Sequence, residues 1–96
     1  MITKSQRSDA ISFPMRMAGE GENVKIMSLR GGRSFHDRLS GMGLNVGAEI
    51  EIVKNQDDGP VLIAHKGTRL FLGGGMAEKI HVMVVDKGDQ NGNKVR

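Results

Sequence analysis

Three histidines, His36, His65 and His81, are the residues of this chain best suited to hold a metal ion or move a proton near neutral pH. None lies three or four residues from another, so no turn of helix presents a pair to one ion, and only folding could gather a site. Folding could bring His65 near Asp57 or Asp58, which leaves incidental divalent-metal binding open, although solvated strand-end polar residues account for the same side chains. No metal site and no cofactor is assigned. Ser34, His36 and Asp37 have the residue types of a hydrolytic triad, but they crowd one helix start, where capping explains Ser34 and Asp37. Gly31-Gly32 and Gly73-Gly74-Gly75 fit neither glycine pattern that cradles phosphate, and no βαβ unit surrounds them; they read as turns. The chain has no cysteine, so disulfides, thiolate metal sites, cysteine-ligated iron–sulfur clusters and thiol nucleophiles are excluded. Its seven methionines are scattered, as fillers of an irregular core or contacts for a partner. No catalytic residue emerges, and an enzyme is not expected.

The elements that must carry these residues are short. Val24 to Leu29 alternates as a first strand before the Gly31-Gly32 turn, and a helix follows, capped by Ser34 with Asp37 in the capping-box position. Phe35, Leu39 and Met42 share one face at i, i+4, i+7, and Gly43 supplies the left-handed stop. Ala48 to Val53 alternates cleanly, with Ala48, Ile50 and Ile52 inward and Glu49 and Glu51 toward water. After the turn cluster Gln56 to Pro60, Val61–His65 and Thr68–Leu72 flank Lys66-Gly67 as a hairpin. One helical turn over Met76–Lys79 precedes a last strand from Ile80 to Val85. About five short strands at this spacing predict an all-β fold, a small SH3-like barrel with one short helix after the first strand.

Residues 1–22 show no useful periodicity and predict a flexible arm. Within it Phe13, Met15 and Met17 alternate around Pro14, which would confine any strand there to a sheet edge. Residues 23–86 form the barrel domain, and 87–96, rich in Gly and Asn, predict a flexible tail. A 96-residue chain builds one small core, and modest burial invites association, including a homo-oligomer. No apolar run is long enough to span a bilayer, so a cytoplasmic protein is the default. The net charge is +3, with both signs scattered, and the only three aromatic residues are phenylalanines. That pattern makes nucleic acid an unlikely partner, because single-strand binders join a basic groove to stacking rings.

From Val24 to Val85 the chain resembles the FeoA domain family. The family's helix phrase appears as Arg38-Leu39-Ser40-Gly41-Met42-Gly43-Leu44-Asn45-Val46-Gly47, followed by Ala48-Glu49-Ile50-Glu51-Ile52-Val53 and Gly59-Pro60-Val61-Leu62-Ile63. Leu72-Gly73 and Met76-Ala77-Glu78-Lys79-Ile80-His81-Val82 close the pattern in the right order and spacing. The resemblance implies a non-catalytic cytoplasmic accessory of ferrous iron transport that binds the GTP-hydrolysing cytoplasmic region of the membrane transporter FeoB. The alternatives are a nucleic-acid-binding small β-barrel and a self-associating structural module.

The chain's own contribution is a surface. Arg33, His36 and Arg38 lie on or beside the helix whose Leu39 side faces the barrel, leaving cations beside Met42 and Leu44 as a partner-binding patch. Inward packing predicts the same apolar types at Met42 and Leu44, and an internal ion pair with Asp37 or Glu51 would equally explain Arg38.

Overall fold

Alternating burial on short strands dictates the architecture: each strand hides one face, and only a curled sheet with short helices across its openings covers all of them. A computed structural model of the chain describes residues 11–56 and 59–85. Its elements run β1 (Phe13–Pro14), a 3₁₀ turn (Met15–Met17), β2 (Asn23–Leu29), α1 (Arg33–Gly41), β3 (Glu49–Asn55), β4 (Val61–His65), β5 (Thr68–Leu72), α2 (Gly74–Lys79) and β6 (Ile80–Val84). The strands form one six-stranded sheet in the order β1-β6-β2-β3-β4-β5, with every neighbour antiparallel. The all-β expectation therefore stands, with six strands where about five were expected. The extra one is β1.

β3 shows why the pattern works. Ile50 and Ile52 are buried while Glu49 and Glu51 stay exposed, and each isoleucine contributes about 1.5–3 kcal/mol by leaving water. In β2 the alternation breaks. The register with β6 shifts between Ile26 and Ser28, so Met27 is bulged and the following residues change sides. Val24 and Ile26 are buried, but beyond the bulge Leu29 packs against the core while Ser28 is only half-buried.

The boundary at residue 22 is corrected, because the part of the arm that is described belongs to the fold. Phe13 and Pro14 pair with Val82 and His81 at the sheet edge, the place that Pro14 permits. Met15 is fully buried and Ala18 nearly so. The Asn55 side-chain amide donates to the Arg16 and Ala18 carbonyls at 2.8 and 2.6 Å, and the Asn55 N–H donates to Glu20 at 2.9 Å. Gly21 N–H donates to the Ile52 carbonyl at 2.6 Å, and Ile52 N–H donates to the Glu22 carbonyl at 2.9 Å. A strand of two residues has no readable periodicity, so its partners alone define it. Residues 1–10 and the tail 87–96 lie outside the described residues.

Candidate functional site

α1 begins at Arg33, with Gly32 as its N-cap and no side-chain capping bond, so the expected Ser34 cap and Asp37 box are not used. The chain has already turned by then. His36 N–H donates to the Gly32 carbonyl at 3.0 Å, and Phe35 folds back over Gly31, where a Cβ would meet its ring at 2.5 Å. Only glycine allows that approach. Leu39 is the helix's buried anchor and Phe35 is half-buried, while Arg33, Ser34, His36, Asp37, Arg38 and Ser40 are exposed.

The helix ends in a Schellman motif. Leu44 N–H donates to the Leu39 carbonyl and Gly43 N–H to the Ser40 carbonyl, both at 2.9 Å, with Gly43 at φ +82°. This corrects one site assignment. Leu44 is fully buried, not a surface residue, because the motif folds the residue after its glycine back onto the residue five before it, here the equally buried Leu39. The signal was in the sequence, since a glycine stop followed by leucine predicts that contact.

The other four expected residues stay accessible, but only Met42 and Arg38 line grooves, and not the same one, while Arg33 and His36 line neither. Met42 is half-buried and lines one with His65, Lys66 and Leu70. Arg38 lines the second, between α1 and α2, with Ser34, Phe35, Gly75, Met76 and Lys79. Its apolar lining is Phe35 and Met76, both packed against the core, and Lys79 Nζ stands 5.5 Å from the Phe35 ring centroid as a cation–π contact. His36 lies edge-on to Phe35 at 6.4 Å, and Arg33 is exposed at the start of the helix. No carboxylate among the described residues lines this groove. Among the described residues the ion pair is Arg16 with Glu78, at 3.5 Å, and Arg38 makes none with Asp37 or Glu51. Sequence reasoning missed Met76 and Lys79, which lie far along the chain from α1 and join it only through the sheet.

The histidines remain apart. His65 Nδ1 lies 3.3 Å from the Glu49 carbonyl oxygen, to which it donates when protonated there, and His36 and His81 sit on other elements. Among the described residues no three His, Asp or Glu side chains group to hold a metal ion; Asp57 and Asp58 lie outside them. Partial burial and the nearby Arg30 guanidinium lower the His81 pKa from 6.5. The unfolded chain therefore takes up this proton at a higher pH than the folded one, and His81 costs stability as pH falls through 6.5 and below. Urea midpoints measured between neutral and mildly acidic pH should fall less in His81→Gln than in the wild type; identical slopes would remove His81 as the cause.

A sequence profile of the FeoA domain matches residues 13–84, starting where β1 starts. The chain belongs to the FeoA domain family. That family serves ferrous iron transport. A Methanocaldococcus jannaschii protein provisionally named Fe(2+) transport protein A is 37% identical over 79 residues, spanning 82% of this chain and 95% of that protein. The crystal structure of an iron uptake regulatory protein (FeoA) superposes with a TM-score of 0.74 at 28% identity, covering 78% of this chain and all of that one. A manganese-dependent transcriptional repressor shares the fold alone, with a TM-score of 0.71, 12% identity, and 77% of this chain on 42% of the other. The SH3-like barrel is thus shared by transport and repressor proteins, and the FeoA assignment rests on the sequence match. Among the described residues no helix is long and apolar enough to cross a membrane.

Proposed function

We propose that this FeoA domain is a non-catalytic cytoplasmic accessory that binds the GTP-hydrolysing cytoplasmic region of the ferrous iron transporter FeoB through the exposed side of α1 and the α1/α2 groove. One observation carries the reading: Arg38 is exposed and makes no ion pair among the described residues, beside an apolar lining of Phe35 and Met76 and a second cation, Lys79. Arginine next to apolar surface is a frequent binding anchor, and a groove lined by cations without carboxylates selects an acidic partner surface with an apolar residue to insert. The family's place in ferrous iron transport supports looking for the partner at the iron transporter. Ser34, His36 and Asp37 are exposed on one helical turn and lie in no enclosed cavity, so the bland role of helix surface suits them better than catalysis.

Titration calorimetry of the full chain against the FeoB cytoplasmic region tests this. Arg38→Glu should weaken binding by about 1–2 kcal/mol or more while the melting temperature hardly changes, because the side chain leaves no buried partner behind. Unchanged affinity in that variant would remove α1 from the interface. An RNA gel shift at physiological salt is the control for phosphate binding by the same cations, and its expected result is no retardation.

A further inference from the structure

The two free edges of the sheet are built differently. β1 is two residues long and half proline, features that block further strand pairing. β5 is five residues long, without proline, and keeps an unbroken register with β4. The connection between them has Lys66 at φ +51° and Gly67 at φ +81°, a type I′ turn, so the closing pair His65↔Thr68 exchanges both main-chain bonds. Counting on by alternate residues, Leu70 and Leu72 also bond to β4, whereas the N–H and C=O groups of Arg69 and Phe71 point away to the free edge. No other described segment bonds to them. Phe71 is 69% exposed, beside the half-buried Leu62 of β4, and Arg69 is exposed beside Ala64. An open main-chain edge thus coincides with an uncovered aromatic ring.

We infer that β5 is a self-association edge, along which a second copy of this chain pairs antiparallel about a twofold axis at Leu70. The strand is complementary to itself in that register. Each N–H of Arg69 and Phe71 meets a carbonyl of the other residue on the second copy, in the closely spaced bonding arrangement of antiparallel strands. On the outward face each Arg69 guanidinium lies against the Phe71 ring of the second copy, a cation–π pair formed twice, and no residue is paired directly with a like charge. Pairing also covers Phe71, which ends the outward apolar row that Leu62 begins. Two molecules of net charge +3 repel, so salt should strengthen this association, whereas binding to an acidic partner through the α1/α2 groove should weaken with salt.

Sedimentation velocity of the full chain, from micromolar to millimolar concentration, should show a coefficient that rises toward the dimer value and rises further with added salt. Amide exchange at Arg69 and Phe71 should slow in step with the dimer fraction. Phe71→Lys should weaken association about tenfold or more at an unchanged melting temperature, since it sets a like charge opposite each Arg69 of the second copy and the ring lies on the outward face. Arg69→Glu serves as a second variant should the first fail to fold, and it too should weaken the dimer. A monomer at every concentration overturns the proposal, as does a dimer that both variants leave intact. Slow exchange at Arg69 and Phe71 in a monomer would show that the chain's own residues cover the edge, and would overturn it as well.

Discussion

Deletion of residues 1–20 should abolish the cooperative melt. The deletion takes away Met15, whose fully buried side chain fills core volume worth about 2–5 kcal/mol, together with Ala18 and the β1 edge of the sheet. It also strips the half-buried Asn55 amide of its Arg16 and Ala18 carbonyl acceptors, at about 1–3 kcal/mol for a polar group left unpaired. Those losses approach the whole stability of about 5–15 kcal/mol that a small domain holds. Deletion of residues 1–10 alone leaves every contact described above in place. Circular dichroism melts of both truncations decide the point: a cooperative transition within about 1 kcal/mol of the full chain after removal of 1–20 would mean that the segment merely rests on the barrel.

Leu44→Ala is expected to destabilise by about 2–5 kcal/mol, the range for truncating a fully buried leucine where the surroundings collapse only in part. The mechanism is specific. Leu44 and Leu39 clasp the helix terminus across Gly43, so the cavity opens under the Schellman turn and loosens the seat of α1 on the sheet. Arg38→Glu, one residue before Leu39 but exposed, should leave stability almost unchanged, within about 0.5 kcal/mol. Urea denaturation of the two variants separates the roles. Near-neutral Leu44→Ala would restore that residue to the surface and to the partner-binding patch.

These two residues define how the domain divides its labour. The Arg38-to-Gly47 phrase contains both a structural lock, made of Leu39, Gly43 and Leu44, and a single accessible cation, Arg38, aimed into the α1/α2 groove. The lock holds the cation relative to Lys79, which arrives from the far end of the chain. On the proposed function, a partner inserting between Phe35 and Met76 would meet charges held by the fold and not by flexible loops.

By itself the sequence determined the strands whose alternation is long enough to register: β3, the β4–β5 hairpin with its Lys66-Gly67 turn, and β6, each within a residue or two of its observed limits. It also determined the helix stop at Gly43, since a left-handed residue there is a local requirement. The order of the FeoA phrases identified the family for the same reason, being written along the chain. Tertiary structure alone decided what depends on partners distant in sequence. β1 is two residues whose strand character exists only through Val82 and His81, and Met15 is core only because the sheet closes over it. The bulge at Met27 shifts β2 so that Leu29 packs against the core, a register choice made by β6. Likewise the groove joins Arg38 to Lys79 and Phe35 to Met76 across a fold that no local rule connects. Periodicity reports how a segment presents its own faces; which surface covers a face, and which side chains then become neighbours, is settled by the packing of the whole sheet.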